Sequence, residues 1–543
     1  MSNEKRMLLA IALIMGVTYV WSKLFFPQAP VKTPAVAQEK IQELTSTSSS
    51  EPEQTSETAP SIVRQTLAPA FEEKVVEFET SYVDATLSSR AAALTHVGLK
   101  EYKTTIEKDA PGITVVPFSQ GSNLPLNWNV TIGETTFSDQ MLNYQLTEKT
   151  ADRTTFRAQA TPGVFVEKTW YVSTTKPYVF DVEFRILNQS LVDHPLKVSH
   201  TTYSKKDEQT KKPGIFSMFS AASRKLPTRI MAYVNEKEYH WSYKDIAEDD
   251  DTLLKGSISW LGLDSQYFVF AVLPTMGNWS SIQTQNKDEQ SMIEAFYPER
   301  VLDSGKEQKF SLQVYAGPKD IELLQEMGSD LDHSIDYGIW GPIARPILSL
   351  LRWIHGYIPN YGWAIIILTL MVRGLMFPLV QKQARSTKKM QQHSPAMNAL
   401  KEKYADDKEA YTRELMTYMR THKINPMGGC LLLLPQMPIF FALYRVLYNA
   451  IELRHAPFAL WITDLSSHDP YFVLPVLVGV TFFLQTKLNP MPAGDPAQQT
   501  MMKVMPVMFS VFMVFLPSGL NLYIFVSTVW GIVQQYIVQR KPV

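Results

Sequence analysis

Cysteine is nearly absent from this chain of 543 residues: one residue, Cys430, cannot close an internal disulfide framework. Cysteine-rich zinc and iron–sulfur sites are excluded with it. A basic excess is missing as well. Fifty-two Lys and Arg stand against 53 Asp and Glu, a net charge of −1, whereas a nucleic-acid binder usually shows a basic surplus or stripe. No G-x-x-x-x-G-K-[S/T] phosphate loop occurs. The histidines of the central region, His96, His194, His200, His240 and His333, stand at no metal-ligand spacing, and no G-x-S-x-G nucleophile elbow accompanies them. The expectation is a protein without metal, cofactor or catalytic residues, and not an enzyme; the alternative is a sugar-binding or mutarotase-like activity in the central region.

What is present is apolar sequence, unevenly spread. Residues 7–26 form a run of about twenty residues, long enough for the roughly 30 Å hydrocarbon layer. Lys5 and Arg6 precede it, and the one signal-peptidase-like string, Ala35-Val36-Ala37, lies well beyond it behind Pro27 and Pro30. Residues 1–26 therefore read as an uncleaved signal anchor and not a cleaved leader. Five further spans are expected at 361–380, 427–450, 471–488, 501–517 and 520–539, the last two separated by the turn signal Pro517-Ser518-Gly519. The total is six.

Orientation follows from lysine and arginine in the connections. The segment 381–426 carries ten of them, and 451–470 carries Arg454 alone. Both termini are thus expected in the cytoplasm and residues 27–360 outside. Within 381–426, two helices are expected to meet as a hairpin, with Pro395 kinking the first. Its basic residues Lys382, Arg385, Lys388, Lys389, Lys401 and Lys403 are candidates for docking anionic lipids, a ribosome or a targeting receptor. The plainer reading is a solvated hairpin obeying the positive-inside rule.

Outside, residues 27–70 are rich in Pro, Ser, Thr, Glu and Gln and read as a flexible linker. Residues 71–335 change character. Tyr178, Phe180, Val182, Phe184 and Ile186 alternate with Val179, Asp181, Glu183 and Arg185, the period of a half-buried strand. Similar runs at 75–87, 164–172 and 266–273 predict a β-sandwich, closed by a short helix near 318–330. Residues 336–360 then read as an interfacial helix, with Ile343, Ile347, Leu350, Leu351, Ile354 and Ile358 on one stripe; the plainer alternative is a helix packed on the β domain.

Arg373 is the informative residue of the membrane half. It lies eight residues from the inner end of its span, roughly 12 Å deep, and an arginine there costs about 2.5–3.5 kcal/mol on the insertion scale. No Asp or Glu lies in any expected span. The guanidinium must then be satisfied by water, backbone carbonyls or polar side chains. Candidates are Thr369, Gln436, Thr481, Gln485, Ser510, Asn521, Tyr523, Ser527, Thr528, Gln534 and Gln535. Arg445, near the outer end of its span, is expected to snorkel. An unpaired cation in a wet pocket suits carboxylates, either of anionic solutes or of acidic segments crossing the membrane.

The strings VRGLMFPL (372–379), INPMGGC (424–430), LPQMPIFFALYRVLYN (434–449), APFALWITDLSSHDPYFVLPVLVGVTFF (456–483) and FLPSGLNLYIFVS (515–527) resemble the YidC/Oxa/Alb family of membrane protein insertases. The resemblance implies a polytopic α-helical membrane protein with a five-helix core (361–543) and a periplasmic all-β supersandwich in the bacterial inner membrane. It implies insertion and folding of nascent membrane proteins, alone or with the Sec translocon. It also implies a cytoplasm-open hydrophilic groove in which Arg373 and Thr369 take the family's groove positions and Tyr523 stands near the substrate-contacting aromatic.

Overall fold

Strand Val179–Asn188 shows how the soluble half is built. Phe180, Val182, Phe184 and Ile186 are buried on one face. On the other, Glu183 is held by Arg185 and Lys309. The computed structural model describes residues 73–116, 125–173, 176–205, 229–248, 252–287, 290–404, 407–422, 433–488 and 496–540. The expected anchor (1–26) and linker (27–70) lie outside these residues.

Val179–Asn188 sits inside a nine-stranded antiparallel sheet between Glu307–Pro318 and Val164–Val172. A second sheet of seven strands has His194–Lys205 near its middle, flanked by Gln290–Phe296 and Asn127–Ile132. The two close on each other. Trp128 of one stacks on Phe184 of the other with ring centroids 4.5 Å apart, and Phe310 and Tyr297 complete the layer. Burying each such ring contributes roughly 1.5–3 kcal/mol. A separate four-stranded sheet, from Val75–Glu79 through Gly112–Thr114, adds a third element to the expected sandwich. Two short helices belong to this half, α1 (Tyr243–Glu248) and α2 (Ile321–Met327).

The helical half follows as α3 (Gly341–Tyr357), α4 (Tyr361–Gln392), α5 (Ser394–Lys403), α6 (Lys408–Thr421), α7 (Leu433–Asn449), α8 (Val473–Leu488), α9 (Pro496–Met513) and α10 (Ser518–Arg540). Within α4, Tyr361–Gln381 is the one stretch among the described residues that is long and apolar enough to cross a bilayer, 21 residues of mean hydropathy 2.1. Val473–Leu488 and Val504–Met513 are shorter apolar helices. Among the described residues there is thus one such helix, where the sequence predicts five spans over 361–539 and a sixth, 1–26, outside the described residues.

Two helices differ from expectation. α4 does not stop near residue 380 but runs on to Gln392, and the break falls at His393. The cause is local: Pro395 fits the first turn of a new helix and disfavours continuation of the old one. The buried stripe of α3 is also rotated. Ala344, Leu348, Leu351 and Ile354 are buried, while Ile343 is exposed. This face packs against α7 and α4, and Ala344 lets the helices approach. Trp353 and Tyr357 remain exposed, as interface aromatics do.

α4 packs on α10, α10 on α8, and α8 on α9. A Cβ at Gly479 would lie 2.7 Å from Ser510 Cβ and Oγ, so glycine sets the α8–α9 spacing. Ser510 Oγ donates to Pro475 O at 2.8 Å across the same contact. Leu375, Val476, Val480, Phe483, Val507, Met508, Val511 and Val533 are exposed on the outside of this group. So many large apolar side chains exposed on four packed helices belong in lipid and not in water.

Candidate functional site

Arg373 lies on α4 and reaches α10. Its Nε donates to Ser527 Oγ at 2.7 Å, and Nη2 donates to the same oxygen. The guanidinium offers five donors. Among the described residues its hydrogen-bond partner is this one hydroxyl, and no carboxylate pairs with it. Tyr523 stands one turn before Ser527 on α10 and is buried. One turn after Ser527, a Cβ at Gly531 would meet Gln485 Nε2 of α8 at 3.3 Å. Arg373, Tyr523 and Ser527 therefore converge, with Gln485 one turn beyond.

Other expected groups are engaged elsewhere. Thr369 is buried, but its hydroxyl donates to Ile365 O at 2.6 Å within its own helix, a bond open to a helical threonine. It does not bond Arg373. Thr481 and Thr528 likewise satisfy carbonyls of their own helices. Asn521 donates to Met513 O and Leu516 O, tying the turn between α9 and α10. Gln534 and Gln535 bind Phe377 O and Leu488 O, at 3.3 and 2.8 Å. The side chain of Gln436 lies outside the described residues.

The basic docking candidates of 381–426 differ in exposure. Lys388, Lys389 and Lys401 are half-buried and Lys403 is exposed, while the Lys382 and Arg385 side chains lie outside the described residues. At the base of this hairpin, His393 Nδ1 meets the Tyr418 hydroxyl at 2.9 Å, joining the α4–α5 break to α6.

Two arrangements escaped the sequence reading. Asp469, fully buried, accepts from Trp461 Nε1 at 2.9 Å and from the backbone N–H of Tyr471 and Leu474 at 3.0 and 2.7 Å. It thereby caps the start of α8. Asp ahead of an apolar run in HDPYFVL was a readable signal. The second is the set of charges joining the two halves. Arg445, expected to snorkel, instead faces Asp336 at 3.6 Å. Burial pushes the Asp336 carboxyl up, but Arg445 and Arg229 outweigh it and hold it below the usual carboxylate range. Burial likewise opposes ionisation of Asp264, and Lys319 and Arg229 outweigh it more strongly. Burial raises the Glu452 carboxyl.

A lipid-facing helical group with a hydroxyl-paired arginine, joined to a large β domain, defines a helical integral membrane protein with a sizeable water-soluble half. The comparisons place it more narrowly. Residues 353–543 match the family described as 60Kd inner membrane protein, and residues 75–350 match the YidC periplasmic domain. The membrane protein insertase YidC of Maridesulfovibrio salexigens is 31% identical over 554 residues, covering 99% of this chain and 99% of its own. That of Pseudomonas fluorescens is 41% identical over 310 residues, 56% of this chain and 55% of its own. A crystal structure of an active YidC insertase covers 87% of this chain and 93% of its own at 18% identity and a TM-score of 0.37. The chain belongs to the YidC/Oxa/Alb family of membrane protein insertases, proteins of the inner membrane with a periplasmic β-rich domain.

Proposed function

We propose that this chain inserts inner-membrane proteins and helps them fold, alone or beside the Sec translocon, through a cytoplasm-open hydrophilic groove centred on Arg373. Six spans, cytoplasmic termini and a periplasmic segment at 27–360 complete the topology. The observation that carries the reading is the pairing of Arg373 with the Ser527 hydroxyl. A hydroxyl leaves the positive charge uncompensated, so it remains available to a carboxylate of a passing segment. A nascent helix enters with its polar flank near Arg373, and the groove lowers the desolvation penalty of that flank. Burial of the client's apolar face in lipid then drives release. The membrane potential assists acidic segments outward by about 2.3 kcal/mol per charge per 100 mV. The cytoplasmic hairpin, with Lys388, Lys389, Lys401 and Lys403, receives the ribosome, a targeting receptor or anionic lipid.

Insertion into liposomes holding the purified protein tests this. A single-span client with an acidic outer segment is translated in their presence and scored by protease protection. Protection is expected with the parent protein, is lowered by Arg373→Ala and is largely retained by Arg373→Lys. Equal protection with Arg373→Ala would remove Arg373 from the groove's centre, and no protection with any protein would overturn the insertase reading.

A further inference from the structure

Acidic and basic side chains alternate without interruption from the interior of the β domain to a membrane helix. Asp264, almost wholly buried, accepts from Lys319 Nζ at 2.7 Å and from Arg229 Nε and Nη2, each at 2.8 Å. Arg229 Nη1 lies 3.9 Å from Asp336 Oδ2, and Arg445 Nη1 of α7 lies 3.6 Å from that same oxygen. The end of α7 is held at two more points: Asn449 Nδ2 donates to Asp336 O at 2.9 Å, and Gln266 Nε2 donates to Tyr448 O at 2.7 Å.

A second cluster secures α3. Arg352 lies 2.8 Å from Glu322, 3.6 Å from Glu452 and 3.8 Å from Asp320. Two of these carboxylates belong to α2 and its N-cap, and the third follows α7. One guanidinium therefore binds the β domain, α3 and the chain leaving α7.

We propose that Arg445, together with Arg352, is a positioning residue for insertion: the β domain is fastened through these two arginines to the ends of α7 and α3, and this fastening sets where α7 stands. The functional part rests on the insertase reading. The route from clasp to groove is short. Phe440 stands five residues before Arg445 on α7, roughly 7.5 Å along the axis. Its ring lies 6.4 Å from that of Tyr523 on α10. Tyr523 is one turn from Ser527, which holds Arg373. A shift of α7 therefore changes what Tyr523 packs against beside the groove cation. Polar clasps suit this task because they fix register: an apolar contact tolerates sliding, whereas removing one partner of a partly buried ion pair leaves the other uncompensated.

The test uses the full chain in nanodiscs with Cys430→Ser, and spin labels at Leu191→Cys and Leu460→Cys, positions 96% and 88% exposed. The distance distribution between the labels reads the docking of the β domain, and insertion of the acidic single-span client reads function. One narrow distance is expected in the parent. The pair Arg352→Gln/Arg445→Gln broadens it or adds a second distance and lowers insertion about fivefold or more. Amide protection within strand His194–Lys205 stays unchanged, so misfolding is separated from undocking. Arg352→Lys/Arg445→Lys restores both readouts, and Asp336→Asn reproduces the broadening from the other partner. An unchanged narrow distance in the glutamine pair, or a broad one already in the parent, overturns the clasp. Broadening with full insertion overturns the positioning role. Absent insertion in the parent overturns the insertase reading, which the distance measurement does not depend on.

Discussion

Acidification should loosen the β domain through His200. This side chain is fully buried between the two large sheets, with its ring stacked on Trp279 at 4.9 Å and tilted toward Trp128 at 5.8 Å. Neither ring nitrogen has a hydrogen-bond partner among the described residues. Burial pushes its pKa down to about 3 and outweighs the backbone of Ala295, which favours the charged form, because the apolar layer does not replace the water that a charged imidazole loses. The unfolded chain takes up this proton near pH 6.5, while the folded domain refuses it until about pH 3. Stability is therefore unaffected by His200 above about pH 7.5 and falls as pH drops through 6.5, by about 1.4 kcal/mol per unit. Between pH 7.5 and 4.5 the loss is about 2.5 kcal/mol, or roughly 70-fold in the opening equilibrium at 1.36 kcal/mol per decade. Carboxylates titrate over the same range, so the quantity to measure is a difference. Native-state amide exchange of strand His194–Lys205, corrected for intrinsic rates, is compared at the two pH values in the parent and in His200→Phe, whose ring keeps the stack and cannot titrate. The parent should lose about 70-fold more protection than the variant. Equal losses would mean that His200 is protonated in the fold or solvated, and the burial argument would fail.

Two further substitutions test the helical packing. Gly479→Leu places atoms where Ser510 already stands 2.7 Å from a Cβ; overpacking of about 1–3 kcal/mol should lower the thermal midpoint in nanodiscs and part α8 from α9 in cysteine cross-linking. Asp469→Ala strips the partner from Trp461 Nε1 and from the N–H groups of Tyr471 and Leu474. Orphaning one buried and two half-buried donors should cost about 2–4 kcal/mol, read as a lower midpoint and faster amide exchange at the start of α8.

The elements that the sequence announced are those whose cause is local. Strand Val179–Asn188 alternates because each residue's face follows from its neighbours. Arg373 stood out because an apolar run makes a charge conspicuous. Its partner was less legible: Ser527 was one of several polar residues on the last helix, and only the packing of α4 on α10 selects it. Thr369, one turn before Arg373, was a candidate partner for it, but a threonine in a helix can turn its hydroxyl onto its own backbone, as this one does. The α4 end followed a proline and not the membrane edge. Least legible was the clasp. Asp336, Arg229 and Arg445 lie far apart in the chain and carry no shared motif, and an arginine near a helix end reads as a snorkeler until a partner is placed beside it.

The choice of a hydroxyl to hold Arg373 can be set against the alternative that the sequence does not use. A carboxylate at position 527 would accept two of the five guanidinium donors and cancel the charge. The present bonds already have a charged donor; a carboxylate adds a charged acceptor with a separate oxygen for each N–H, the stronger bidentate arrangement. If Arg373 served only to join α4 to α10, Ser527→Asp would be an improvement. If the free charge serves passing acidic segments, the same change should tighten the helix pair and silence the groove. Ser527→Asp is therefore expected to raise the thermal midpoint in nanodiscs while lowering insertion of the acidic client to the level of Arg373→Ala. Ser527→Ala, which frees the guanidinium, should lower the midpoint and keep insertion close to the parent's. A more stable Ser527→Asp protein that inserts the client as well as the parent would refute the reasoning, since it would show that the charge on Arg373 is structural and that clients are drawn by something else.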